Sequence, residues 1–467
     1  MKQNMPKLHM YGLIALIAVC ALSGILLLSR NDTRTITIRV LSDQPAQVKV
    51  SVDAVRGSEG GQTFRLQPDQ TKQVRVGEGD YRITGTQDGP QDSAETIVLA
   101  DARHAADNKT GRRIDLKLTA PKPARSVASQ SQGCGFMWND VYYSYACYSE
   151  STLQRHDDIR RTGFSTATPV AGVRVSDATG LVGDNVVTLI NDPAGPYLVR
   201  YSLSGGIASR IPMPPAMAGT PFEDMALLLN ETPGSKYPFA VVDRESSTWH
   251  LYRGIEDADP VAVDQSAAAK QLKGDLRLVS LQLNGDTMTS LYAPDLISHD
   301  DAGEAAVIEQ AESREKARTP SHVIRYSADS RRQTASVPVA PELQAAEVRY
   351  LTDSTYILTG SNGKVSFMKE RGKKLEPISR PRTNGGVVVR AGRALLWDGG
   401  NISVFDAAAG TMVRVFASKV HDISGAYYSG DTVGFTAFPK PSGNARPATS
   451  PEAFVIGSPA SPGKASE

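Results

Sequence analysis

Cysteine is scarce in this chain of 467 residues, with three in all, Cys20, Cys134 and Cys147. Cys20 falls in a long apolar run, and two thiols cannot make a four-ligand structural zinc site. A charge of one sign is missing too. The 51 Lys+Arg face 50 Asp+Glu, a net charge of +1, which removes the whole-chain argument for nucleic acid as a partner. Catalytic signatures are absent as well. No Gly-x-Ser-x-Gly elbow occurs, so a Ser-His-Asp triad cannot be assigned. Glycosidase chemistry needs two placed carboxylates, and among 50 acids none stands out. The sequence therefore gives no catalytic residue, no metal site and no cofactor. Glycine (40) and proline (28) are plentiful, with 40% apolar and 22% charged residues. That composition suits packed cores built from many short strands joined by turns. At about 150 residues per domain, the length suits two or three domains, or one large repeat fold with an accessory module.

One long apolar run is present. Residues 10–29 carry no charge, and twenty residues at 1.5 Å each span about 30 Å, the thickness of a hydrocarbon core. Lys2 and Lys7 precede the run, which favours a cytoplasmic N-terminus. The run predicts an uncleaved transmembrane helix over 10–29, a cytoplasmic tail over 1–9, and a single-pass cell-membrane protein with all later residues extracytoplasmic. The membrane bilayer is then its first partner. A cleaved signal peptide and a lipoprotein at Cys20 are the alternatives; no small-residue cleavage site follows the run. In an exported chain, Cys134 and Cys147 predict a disulfide that closes a loop of about 14 residues, worth roughly 3 kcal/mol. Two buried free thiols are the other reading.

Residues 35–118 alternate apolar and polar in short segments such as Thr35–Val40, Val48–Val52 and Tyr81–Thr84, with turns at 57–61 and 77–80. About seven short strands predict a small β-sandwich. Asp43-Gln-Pro-Ala-Gln-Val-Lys-Val50, followed by Val76-Gly-Glu-Gly-Asp-Tyr-Arg-Ile-Thr84, resembles the PEGA and carboxypeptidase-regulatory-like sandwiches. Those families carry a Pro-Ala-x-Val entry and a Pro-Gly-x-Tyr-x-Val hairpin; here Glu78-Gly79 stands in place of Pro-Gly. The resemblance implies a spacer or binding module rather than an enzyme. Residues 119–133, rich in Pro, Ser, Ala and Gln, read as a flexible linker.

Beyond Gly133 a unit recurs: a strand ending in an aromatic residue, a small polar turn, then another strand. Tyr201, Tyr252, Tyr326, Phe367 and Phe405 mark it, and Tyr148 and Phe454 extend it at either end. A unit of about 40–50 residues with four strands has the dimensions of a β-propeller blade. The fold class expected is mainly β: an N-terminal transmembrane helix, a small sandwich, then a propeller of about seven blades over 134–457. Two sandwiches are the alternative. The one Trp-Asp dipeptide, Trp397-Asp398, gives no WD repeat. Residues 302–318, rich in Ala, Glu, Gln, Lys and Arg, read as a helical insertion in a blade loop, and 458–467 as a disordered tail.

Several candidate sites follow. The narrow Val307, Ile308, Ala311 stripe of the insertion, rimmed by Glu309, Glu312 and Arg314, offers a docking surface for a partner, against the plainer reading of a surface insertion. Trp138, Tyr142, Tyr143, Tyr145 and Tyr148 form the densest aromatic cluster. It fills the first blade or presents a sugar- or peptide-binding face. His156-Asp157-Asp158 and His299-Asp300-Asp301 read as solvated loops ahead of metal ligands. Asp243 to Trp249 resembles the Asp-box hairpin of sialidase-type propellers, a structural turn rather than an active site. Together these expectations describe a non-enzymatic binding or scaffold propeller of the bacterial envelope, with an envelope protein or cell-wall component as partner. An exported propeller-fold glycan hydrolase or lyase is the alternative.

Overall fold

In the computed structural model, the described residues run from 34 to 456, without 57–60, 89–93, 102–111, 157–166, 295–318, 379–385, 442–450 and a few shorter segments. They form β-sheet almost throughout. Seven strands come first: β1 (Arg34–Ser42), β2 (Val48–Arg56), β3 (Gln62–Leu66), β4 (Thr71–Val76), β5 (Asp80–Gln87), β6 (Ala94–Asp101) and β7 (Arg112–Leu118). They make two layers, with order β4-β1-β7 in one and β6-β5-β2-β3 in the other. The two-residue alternation explains the sandwich: Ile36, Ile38 and Val40 of β1 point inward to meet Val48, Val50 and Ile83 in one buried core.

The chain then builds seven four-stranded sheets around an axis. β8 (Ala124–Ala128) is set aside for the last. Blade one is β9 (Gly133–Trp138), β10 (Val141–Ala146), β11 (Ser151–His156) and β12 (Ala167–Val175); blade two is β13 (Thr179–Val182), β14 (Asn185–Asp192), β15 (Gly195–Ser202) and β16 (Ala208–Ile211). Blade three is β17 (Met225–Leu229), β18 (Phe239–Asp243), β19 (Thr248–Tyr252) and β20 (Val261–Asp264). Blade four is β21 (Leu276–Asn284), β22 (Thr287–Pro294), β23 (Ser321–Ser327) and β24 (Gln333–Val339). Blade five is β25 (Ala345–Tyr350), β26 (Thr355–Gly360), β27 (Val365–Arg371) and β28 (Lys374–Pro377). Blade six is β29 (Val387–Arg390), β30 (Arg393–Asp398), β31 (Asn401–Asp406) and β32 (Thr411–Ala417). Blade seven holds β33 (His421–Ser429), β34 (Thr432–Pro439) and β35 (Glu452–Ile456), and β8 completes it.

Six of the aromatic markers fall on the third strand of a blade: Tyr201, Tyr252, Tyr326, Phe367, Phe405 and Phe454 on β15, β19, β23, β27, β31 and β35. Their spacing has a packing cause, because each blade buries its flat face on the next. Phe367 of blade five meets Phe405 of blade six with ring centroids 4.6 Å apart. Tyr148 lies outside the described residues.

Residues 119–133 are more than a linker. β8 pairs antiparallel with β35, Ala124 opposite Ile456 and Ala128 opposite Ala453, so a strand from before the propeller closes its ring. Val127 and Ala128 are buried there, which a tether would not require.

The sandwich does not hang free. β6 pairs with β5 on one side and with β32 of blade six on the other, Val98 opposite Thr411 and Thr96 opposite Val413. One sheet of eight strands thus runs β29-β30-β31-β32-β6-β5-β2-β3. Ile97 turns away from the sandwich and is buried against Phe367, Phe405 and Met412 of the propeller. Asp80, itself buried, pairs with Arg371 at 3.0 Å, and Glu95 pairs with Arg414.

The fold class read from the sequence is corrected at its beginning. Among the described residues no helix is long and apolar enough to cross a membrane. Those present are single turns such as Pro215–Met217 and Ser266–Ala269, 3 and 4 residues long, against the roughly 20 a span needs. Residues 1–9 and 10–29 lie outside the described residues. A transmembrane helix is thus not part of the observed fold, and the single-pass cell-membrane localisation drawn from it does not stand.

Candidate functional site: the axial cavity

The first strands of the blades, β9, β13, β17, β21, β25, β29 and β33, line the axis. They approach one another closely enough to demand glycine. A Cβ on Gly180 of β13 would overlap the side chain of Leu229 on β17. Within blade one, a Cβ on Gly135 of β9 would overlap the carbonyl oxygen of Tyr143 and the hydroxyl of Tyr142 on the adjacent β10. Between these strands lies a cavity of about 550 Å³, walled by blades one, two, three, six and seven. Most of the wall is apolar: Phe136, Leu181, Leu229, Val388 and the rings of Tyr427 and Tyr428.

One side is bridged by the connection from β17 to β18. Asn230 folds this loop: its amide donates to Tyr237 O and Gly285 O, and its Oδ1 accepts from the Thr232 and Gly285 amides at 2.8–2.9 Å. The next residue, Glu231, borders the cavity, and its carboxylate is buried behind it. Its carboxylate accepts from Gln282 Nε2 at 2.5 Å and lies 3.7 Å from Arg349 Nη1. Arg349 also pairs with Glu347 at 2.5 Å, so two carboxylates share one guanidinium. The Ala391 amide donates to Glu231 O at 3.2 Å, which joins blade three to blade six across the ring. Burial pushes the Glu231 carboxyl up to about 7, against the pull of Arg349 and Gln282, and Glu347 adds to the rise.

Tyr427 and Tyr428 of β33 border the cavity with part of their rings and turn to opposite faces of that strand, Tyr427 into the packing with blade one and Tyr428 into the packing with blade six. The Tyr427 and Tyr428 hydroxyls are buried and have no hydrogen-bond partner among the described residues. Burial raises both; Tyr428 is pushed up to about 12, with Arg393 and Arg390 opposing the rise. Tyr427 stacks on Tyr142 of blade one at 6.1 Å.

The residues singled out in the sequence fall mostly outside the described residues or inside the packing of the blades. Val307, Ile308, Ala311, Glu312 and Arg314 fall outside the described residues, as does the His299 run. Cys134 stands on β9 opposite Tyr145, while Cys147 is outside the described residues. Tyr142 and Tyr143 are buried, and Tyr143 stacks on Phe136 at 5.4 Å, so this part of the aromatic cluster fills blade one; Tyr145 reaches the cavity. His156 is a core residue, its Nε2 2.7 Å from Ser144 Oγ. Asp243 caps the β18–β19 turn by accepting from the Glu245 and Ser246 amides, and Trp249 is fully buried, so this hairpin is structural. Sequence reasoning missed Glu231, Arg349, Arg390 and the Tyr427-Tyr428 pair. The Tyr427-Tyr428 dipeptide carries no local sign of a place on the axis.

No protein-family model and no curated protein matches the chain, and the likeness of residues 35–118 to PEGA sandwiches finds no support there. Several solved structures resemble it in outline. YCF48 bound to D1 peptide aligns with a TM-score of 0.42 and 9% identity, over 73% of this chain and 96% of that one. PorZ of the type-IX secretion system of Porphyromonas gingivalis aligns at 0.38 and 8%, over 68% of this chain and 38% of that one. The β-propeller domain of Myceliophteria thermophila Cps50 (Swd1) aligns at 0.40 and 10%, over 72% and 100%. Likeness of this degree is confined to architecture. The chain is a seven-bladed β-propeller joined through a continuous sheet to a β-sandwich.

Proposed function

We propose that this chain is a non-enzymatic binding or scaffold protein, whose propeller offers its rims to a protein partner while the sandwich carries it as one rigid body. The eight-stranded sheet shared by the two modules supports this reading most directly. In a ring of complete blades the strand faces are consumed by packing on their neighbours, so recognition falls to the loops at the two ends of the axis. A rigid attachment gives those loops a fixed direction, which suits a scaffold. The glycan hydrolase reading draws no such support. Glu231 is the one carboxylate among the residues lining the cavity, and Arg349 and Gln282 already hold it. A pair flanking a scissile bond has no counterpart there.

Crosslinking and capture with the full chain test the proposal. A discrete protein partner should be retained, and substitutions in the rim loops should release it. Glycan turnover that disappears in Glu231→Gln would overturn it. Docking through Val307, Ile308, Ala311, Glu312 and Arg314 stays a proposal; replacing 303–318 by a short Gly-Ser turn should release the partner without changing the melting temperature. The Cys134–Cys147 disulfide is likewise proposed, and alkylation should find two additional thiols only after reduction.

A further inference from the structure

The eight-stranded sheet ends on one side at β29, on the axis, and on the other at β3 of the sandwich. Among the described residues β3 pairs with β2 alone, and β4, the end strand of the second layer, pairs with β1 alone. Two contacts hold these end strands side by side. Gln62 Nε2 donates to Arg75 O at 3.0 Å, and the Lys72 ammonium sits over the Phe64 ring, 4.1 Å from its centroid. An unpaired edge presents N–H and C=O groups that another chain can join. The uncommitted charge on this edge is of one sign. Arg65 of β3 stands directly opposite Lys49 of β2, both exposed on the outer face, and like charges so placed oppose each other. Exposed Lys72 and Arg75 add two more cations on β4. None of the four makes an ion pair with the described residues, and the nearby acids are engaged elsewhere. Asp53 stands opposite Arg82 and accepts from the Ser51 hydroxyl, Asp69 pairs with Arg39, and Glu95 pairs with Arg414.

We propose that the β3 edge of the sandwich docks an extended acidic segment of a protein partner, which adds as a strand beside β3 and sets its carboxylates against Arg65 and Lys49. The unpaired backbone selects a polypeptide over a lipid headgroup or a nucleic acid, because only an extended chain can continue the ladder. The two-residue period fixes the pattern. Alternate acidic residues fall on the outer face with Arg65 and Lys49, and the residues between them turn toward Phe64, which packs on the sandwich core, and Lys72. A second copy of this chain is a poor occupant, since it would bring Arg65 and Lys49 against their own kind. The other edge of the same four strands already carries the arrangement. There β32 adds beside β6, and an acidic and a basic side chain, Glu95 and Arg414, pair across the join. This surface is distinct from the propeller rims, so the inference stands or falls separately from the rim reading.

Fluorescence anisotropy with the full chain tests it, using the labelled peptide Thr-Val-Glu-Val-Glu-Val-Thr as probe. The comparisons are Thr-Val-Lys-Val-Lys-Val-Thr, a copy of the probe with every backbone amide N-methylated, phosphatidylglycerol vesicles and single-stranded oligo-dT. The N-methylated copy keeps the charge and loses the ladder donors. The glutamate peptide should bind about tenfold or more tightly than the lysine and N-methylated peptides, and its affinity should fall as salt is added. Arg65→Glu should weaken it about tenfold and turn the preference toward the lysine peptide, with the melting temperature unchanged because Arg65 is exposed. Lys49→Glu should act in the same direction and carries the test if Arg65→Glu fails to fold. Equal binding of the lysine or N-methylated peptide, unaltered binding in both variants, a preference for the vesicles or the oligonucleotide, or no binding of the glutamate peptide would each overturn the proposal.

Discussion

At the scale of single residues, Glu231 ties stability to pH. Its carboxyl is raised from 4.5 to about 7, so the folded state holds a proton that the unfolded state gives up. Its contribution to stability is fullest below pH 4.5 and is lost as the pH rises through about 7. The whole effect is roughly 3 kcal/mol if the shift is fully expressed. In Glu231→Gln this decline should vanish, so that urea midpoints of variant and parent, compared from pH 5 to 8, diverge in favour of the variant as the pH rises. Gly135 poses a steric test. Its neighbour is the backbone of β10, which cannot swing aside as a side-chain tip could, so Gly135→Ala should cost about 1–3 kcal/mol by denaturant unfolding.

At the scale of elements, the junction between β6 and β32 is the unusual one. Asp80 is 4% exposed and Arg371 23%, so Arg371→Met leaves a nearly buried carboxylate with its main cation gone. That should cost about 3 kcal/mol, and Asp80→Asn combined with it should recover much of the loss in a double-mutant cycle. Most strands were legible in the sequence because alternation and turn residues act locally. Thr35–Val40 and Tyr81–Thr84 are read directly, and the third-strand aromatics disclose the blade period. β8 was not legible: Ala124-Arg-Ser-Val-Ala128 has the composition of a tether, and only pairing with β35, more than 300 residues away, makes it a strand. The cavity escaped for the same reason. Glu231, Arg349 and Arg390 come from blades three, five and six, and no local pattern announces that they share an axis.

At the scale of the whole molecule, sandwich and propeller should unfold together. Ile97 belongs by chain to the first and by burial to the second, and fully burying such a side chain is worth about 2 kcal/mol. Calorimetry of the full chain should give one transition, whereas Ile97→Asp should separate the two modules into two. Closure of the ring by β8 also dictates an order of events during synthesis. The strand over 124–128 leaves the ribosome early and must wait, unpaired, until 452–456 have been made. No rearrangement of the intervening blades can shorten that delay. Until the final strand arrives, the nascent chain carries an open sheet edge able to pair with a neighbouring copy, and loss of the last sixteen residues would make that vulnerability permanent.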